Sequence, residues 1–353
     1  MISTRNRPCR IINSIGVAAC TFLFSSVIAS VVNAQPKNVV VANITVGHNP
    51  GAVVVSPNNA YVYVANFDDN TVSVINAATN AVIATIGAGT RPDSVAVTPD
   101  GSALYVADDF SGKATVINTG TDTKITRVPV GASPLSLAVS PDGTSVFACF
   151  YSGIKVIDTK NHRITATIPL NISIAPIQVL FNPNNKLAYA LCYDGFGPGP
   201  NQDKLGGILQ IKTQTLRKKR LLWKQLPNAT SVAASPDGSK LYIVDFVDNV
   251  PTPHADLVIF DTVSQQIQTA VPLDPSLGPR ASAITPDGKY LYLTANFDRV
   301  LMFDTATNTI DASISVAGAS AIAISPNGNY AYVASTGPNG NPGSVTVIDI
   351  TSN

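Results

Sequence analysis

One short phrase, written seven times, limits this chain more than anything else in it. It reads SPNN at Ser56, TPDG at Thr98, SPDG at Ser140, NPNN at Asn182, SPDG at Ser235, TPDG at Thr285 and SPNG at Ser325, at spacings of 42, 42, 42, 53, 50 and 40 residues. Proline in second place fixes φ at a negative value, and Asp or Asn followed by Gly or Asn tolerates the positive φ that closes a tight turn. Each phrase therefore predicts the tip of a β-hairpin.

Around each tip the apolar pattern has a period of two: SVAV (Ser94 to Val97) before it, then ALYVA (Ala103 to Ala107), ATVIN (Ala114 to Asn118) and KITRVPV (Lys124 to Val130). Four strands in about 40 residues is the unit of a β-propeller. The ends carry the same message. The chain closes on GSVTVIDI (Gly343 to Ile350), a third strand with no fourth, while NVVVANITVG (Asn38 to Gly47) matches fourth strands such as AVIATIGAG (Ala81 to Gly89). We expect an all-β, seven-bladed β-propeller of four-stranded blades, its last blade closed by the N-terminal strand, as one domain over residues 35–353. Closure removes the exposed sheet edge that invites aggregation.

Two places before each tip come Val54, Ala96, Ala138, Leu180, Ala233, Ala283 and Ala323, mostly the small residues that crowded innermost strands require, and an aromatic recurs seven places after it (Tyr63, Tyr105, Phe147, Tyr189, Tyr242, Tyr292, Tyr332). The aromatics are sized to fill the wedge between blades. YVAN at Tyr63 to Asn66, with the SPDG and TVSVI runs, resembles the YVTN-repeat (YncE-like) propellers of bacterial and archaeal surface-layer and periplasmic proteins. The resemblance covers nearly all of the chain after residue 34. It implies the fold, and leaves activity open, because that superfamily includes binding and scaffold proteins, lactonases and haem or quinone enzymes.

The first 34 residues read differently: Arg5, Arg7 and Arg10 precede a mostly apolar run from Ile11 to Val32, and Val32-Asn33-Ala34 supplies small residues for cleavage. We expect a signal peptide cut before Gln35 and an exported, periplasmic or cell-surface protein with no membrane span. An uncleaved anchor is the rival, as is lipidation at Cys20 within VAAC. The mature chain then carries 20 basic against 22 acidic residues. Nucleic-acid binding is not expected from that balance, and a monomer is.

Function on a repeat scaffold gathers where loops lengthen on one side. The connections between second and third strands lengthen in blade four (within Cys192 to Lys212), blade five (Asp245 to Asp261) and blade seven (Ser335 to Asp349), all on the face opposite the tips. That face also collects Asp68, Asp108, Asp245 and Asp298, the aromatics Tyr193 and Phe196, His254, and Asp93 and Arg280 from equivalent crossing positions at the channel mouth. These nine are the candidate ligand-binding residues. Carboxylates there suit a cation or a basic ligand, and equally cap the turn backbone. No catalytic constellation emerges. His162 falls on the tip face, His48 and His254 lack metal-ligand spacing, no GxSxG follows a strand, Trp223 is the single tryptophan, and CxxCH is missing. No cofactor and no metal site are expected.

The sequence thus reads as an exported binding or scaffold propeller that recognises a small-molecule ligand or protein partner. One alternative is a lactonase-like hydrolase using Asp93, Arg280 and His48 or His254 around a divalent ion, and another is a structural surface-layer module. The basic run Arg217 to Arg220 is assigned to an outer strand, where charge blocks edge pairing. Cys149 and Cys192 are expected as buried thiols, because sheets about 10 Å apart exceed the roughly 4.4 to 6.8 Å Cα span of a disulfide.

Overall fold

The computed structural model describes residues 37–351 apart from 171–174, 194–205, 223–225, 227, 248–253 and 297; the side chains of Val247 and His254 also lie outside that description. Residues 1–34, expected as the signal peptide, fall outside the described residues. Lys37–Thr351 forms one unit of seven four-stranded antiparallel sheets. Blade two shows the plan, with strands Pro92–Val97, Ala103–Asp108, Lys113–Asn118 and Thr123–Pro129 running from the axis outwards. The first strands of successive blades touch around the axis, and the seventh (Ala319–Ile324) meets the first (Pro50–Val55). The seven-bladed ring is closed.

Closure comes from the N-terminal strand, as the split repeat predicts. Val39–Thr45 pairs antiparallel with Ser344–Asp349, from Val39 opposite Asp349 to Thr45 opposite Ser344. Among the described residues no helix is long and apolar enough to cross a membrane.

The recurring phrase is explained by its hydrogen bonds. Its Ser or Thr hydroxyl donates to the Asp or Asn two residues on and accepts the backbone N–H five residues on, as Ser140 does with Asp142 (2.6 Å) and Ser145 (3.0 Å). The carboxylate or amide oxygen in turn takes the N–H two residues further on, so a polar knot replaces water at the tips that open on Ser or Thr. Asp237 shows the electrostatic result: the Ser235 hydroxyl and the Ser239 N–H lower its pKa to about 2. Neighbouring tips also interlock. Gly101, held at φ 73°, sits beside Pro57, and Gly143 (φ 72°) beside Pro99 of the preceding blade.

The repeated aromatics fill the blade wedges and are partnered from the next blade. Third-to-fourth turns place one residue at positive φ, among them Asp122, His162 and Leu216, and in blade seven Asn38, just before the N-terminal closing strand, takes the same place. That residue lies over the preceding blade's aromatic. Tyr105 Oη meets His162 Nδ1 at 2.8 Å, and Tyr292 donates to Asn38 at 2.8 Å. Where the aromatic is Phe147, with no hydroxyl, the partner is Leu216. Polarity is matched in these pairs, since a buried hydroxyl without a partner is costly; Tyr189 is the exception, its buried hydroxyl taking no hydrogen bond from a described residue.

Cys149 and Cys192 are free thiols in one apolar cluster between blades three and four. Burial pushes the Cys192 thiol up to about 12 and raises Cys149 as well. Neither is a nucleophile at neutral pH. A thiol reagent such as DTNB should leave both unmodified in the native protein and label both once urea unfolds it; rapid native labelling would contradict this packing.

Candidate ligand-binding face

The face opposite the tips is built from the blade-to-blade crossings and the second-to-third turns. Just inside it, nearly every innermost strand breaks register after its first residue. Bulges fall at Gly51, Asp93, Ile177, Thr230 and Ser320, and across Arg280 and Ala281. A bulge re-aims a side chain at a rim, and at Ser320 and Thr230 it turns the hydroxyl along the ring. Ser320 Oγ donates to Pro50 O (2.9 Å) and Thr230 Oγ to Pro279 O (3.4 Å), both in the following blade. The mouth is therefore a ring of seven equivalent positions, Leu135 completing it, of which only Asp93 and Arg280 are charged. They stand in blades two and six, across the channel from one another.

Directly below, polar side chains satisfy the inner edges of the sheets. Ser94 Oγ accepts Leu137 N–H (3.1 Å), Ser136 Oγ accepts Val179 N–H (3.1 Å), and Gln178 bonds both the N–H and C=O of Val232. Asp93 is the contrast: it is half-buried, and among the described residues none gives its carboxylate a hydrogen bond. Burial first, then the nearby Asp109 carboxylate, raises its pKa to about 6, against a smaller opposing pull from Arg91. Gly51 leaves the space beside it open, since a Cβ there would lie 3.6 Å from Asp93 Oδ1. Arg91 is held away, its guanidinium 4.4 Å over the Phe67 ring. Such stacking keeps a cation at the site without neutralising the acid.

This gives a pH-dependent expectation with a definite sign. A carboxyl whose folded pKa lies above its unfolded value of about 3.9 binds protons more tightly when folded. Ionising it costs stability, progressively from about pH 4 to 6 and in full above. Asp93→Asn should thus stabilise the protein by about 1–2 kcal/mol near pH 8, a figure reduced for partial exposure, and make no difference near pH 4. Urea titrations at both pH values check it.

Asp108 and Asp245, expected among the ligand-facing carboxylates, are instead turned inward, at 0% and 5% exposure. Asp108 ends its strand by accepting Gly89 N–H (2.9 Å) and Thr115 Oγ–H (2.7 Å), with Arg127 Nη2 at 3.2 Å. Asp245 accepts Asn228 N–H (3.2 Å), and Asn66 does the same for Gly47 (3.1 Å). Each clasps the crossing that enters its own blade. At Gly89 no side chain is possible, because a Cβ would lie 2.0 Å from Asp108.

The remaining candidates lie on the rim or outside the described residues. Asp68 is exposed; Asp298 is held by Arg299 (2.7 and 2.9 Å); Arg280 is exposed at the mouth. Tyr193 ends its strand half-buried opposite Ala175, and His254 opens a strand opposite Val247. Phe196, with the blade-four loop around it, is outside the described residues. The blade-seven loop is on this face, Gly343 bonding Gly47 across the crossing (2.9 Å). His48 is tied to Asp69, by Nδ1 at 2.8 Å and by its N–H at 2.7 Å. Among the described residues no three His, Cys, Asp or Glu side chains converge. Sequence reasoning passed over Arg91 and Phe110, the latter 75% exposed beside Asp109. An aromatic in a turn of polar and small residues, DDFSG, was the available signal.

Fold and face together define a closed seven-bladed β-propeller, a scaffold suited to binding at its channel mouth. No family model matches the chain, and no curated protein does. Among 1718 matching solved chains, one from the Kuenenia stuttgartiensis hydrazine synthase has a TM-score of 0.76 at 21% identity, covering 88% of this chain and 97% of its own. A likeness at 21% identity establishes the fold and nothing finer.

Proposed function

We propose that this protein is an exported binding or scaffold propeller that recognises a ligand or partner at the crossing-face mouth, without catalysis, within the YVTN-repeat group. One observation carries the reading: the molecule keeps an ionisable, half-buried Asp93 with no hydrogen bond from a described residue, in a ring where other polar side chains are bonded to the next blade. An uncompensated carboxylate costs stability, and such groups gather at functional sites. Its surroundings define the ligand's chemistry. A cationic or hydrogen-bond-donating group meets Asp93, and an apolar portion lies against Phe67 and the exposed Phe110. Co-purification from envelope fractions, wild type against Phe110→Asp, tests it. A partner retained by the wild type and lost by the variant supports the reading; equal recovery by both contradicts it. The hydrolase alternative is checked on the same preparation, where a stoichiometric divalent ion would favour it.

A further inference from the structure

The tip face carries a second feature, independent of the mouth. Its charge is sorted by blade. In blades two, five and six the tips and third-to-fourth turns bear carboxylates (Asp100, Asp122, Asp237, Asp261, Asp287, Asp304), whereas blade four replaces them with Asn184 and Gln214 and adds Lys186, Lys212 and Arg217. Its outer strand, Lys218–Leu221, begins at the same end. Blade three contributes Lys160 and Arg163 from the neighbouring turn. The side chains of Lys160, Arg163, Lys186, Lys212, Arg217, Lys218 and Lys219 are exposed.

Lys160, Arg163, Lys186, Lys212, Arg217, Lys218 and Lys219 make no ion pair with a carboxylate of a described residue. Lys218 donates to the Pro169 carbonyl in blade three and Lys219 to Gln265 in blade five. Both are anchored by neutral acceptors and keep their charge uncompensated. The local acids are committed elsewhere: Asp142 to Ser140 and Thr144, Asp158 to the N–H groups of Lys160 and Asn161. Blocking edge pairing accounts for charge on the outer strand alone. It does not account for the same charge at the tip and turns, which have no open edge.

The shape narrows the partner. The groups stand on adjoining turn ends of a rigid ring rather than along a groove that would track a polymer. Among the described residues of the sector's tip side, Phe147 and Tyr189 are buried and Phe181 is half-buried against the Phe147 ring, so none of these offers a free face for stacking on bases or sugars. Beside the patch, two residues from Gln265, Val263 projects from its turn at 84% exposure, the highest of any large hydrophobic residue described. Basic side chains around one protruding aliphatic group form an interfacial contact. We propose that the blade three–four sector of the tip face docks the protein on an anionic lipid surface, leaving the crossing-face mouth pointing away from it.

Vesicle co-sedimentation of the full chain tests this, with phosphatidylcholine alone and with one third phosphatidylglycerol, at low and high salt. Binding to phosphatidylcholine alone, which reports the apolar 11–32 segment, is subtracted. The wild type should show a phosphatidylglycerol-dependent component that high salt abolishes. At about fivefold per basic residue, Lys218→Glu/Lys219→Glu and, separately, Lys212→Glu/Arg217→Glu should each weaken it by about tenfold or more. The second pair makes no described side-chain hydrogen bond, so its loss cannot be ascribed to unfolding, and circular dichroism confirms the fold of both. Lys113→Glu/Lys289→Glu, in blades two and six, should change it less than about twofold. The proposal is overturned if the wild type shows no such component, if the control pair weakens it equally, or if the protein binds a single-stranded oligonucleotide or polyphosphate while ignoring the vesicles.

Discussion

Deleting residues 37–46 is expected to cost about 5 kcal/mol or more and to make the protein aggregate. The strand contributes Ile44 and Val46, both under 10% exposed, at about 2 kcal/mol each, and its pairing with Ser344–Asp349 adds a net contribution of about 1 kcal/mol per hydrogen bond. Its absence also uncovers Val345 and Val347 beside an unpaired edge, the geometry that recruits a second chain. Ile44→Asp is the gentler version, placing a charge in the same wedge. Urea unfolding with light scattering reads both quantities. A truncated chain that scatters no more light than the parent and stays within about 1 kcal/mol of it would show that the ring does not depend on this closure.

The second large effect is expected at Asp108. Asp108→Ala strands the Gly89 N–H and the Thr115 hydroxyl in a buried site, at a cost of about 3 kcal/mol. Asp108→Asn should cost about 1 kcal/mol or less, because blade one already contains that solution. There Asn66 accepts Gly47 N–H and donates to Thr71 and Ser73 (3.0 and 2.9 Å). Burial raises the Asp108 pKa despite Thr115, Arg127 and Gly89, so losing the charge relieves one penalty while Arg127, a third exposed, turns to water. Equal losses for both variants would mean that the ion pair, rather than the crossing clasp, governs this position.

The contrast between these two sites shows what a sequence of this kind makes legible. Turn grammar and strand period are local, so seven tips, four strands per blade and a split last blade could be read directly from SPDG spacings and the unmatched strand at each end. Asp93 and Arg280 were also placed at the mouth by counting from the tips. Asp108 and Asp245 were misplaced because alternation assigns a side of a sheet, whereas a side chain late on a second strand turns toward the crossing that enters its blade, where twist decides its partner. A signal was present: Asn66 and Asp108 share one place in the repeat, each with a hydroxyl residue seven positions on, Ser73 and Thr115. The matching of Tyr105 with His162 and Phe147 with Leu216 was hidden for a similar reason, since each pair joins two repeats.

The acid–base behaviour of the fold separates its two kinds of carboxylate. Tip residues such as Asp100 and Asp237 are held below the ordinary range by hydroxyl and N–H donors, so their contribution is present above the unfolded pKa and lost as pH falls through the folded one. Asp93 behaves oppositely. The first kind serves the fold; the second is retained against it.

The most direct test of the mouth as the binding site is calorimetric titration of wild type and Asp93→Asn at about pH 8, where the carboxylate is ionised, with tetramethylammonium, arginine amide and spermidine. The account predicts that at least one of these binds the wild type and that binding falls about tenfold or more in the variant, as loss of a charged partner entails. Identical isotherms for the two proteins, or binding by neither, would contradict it.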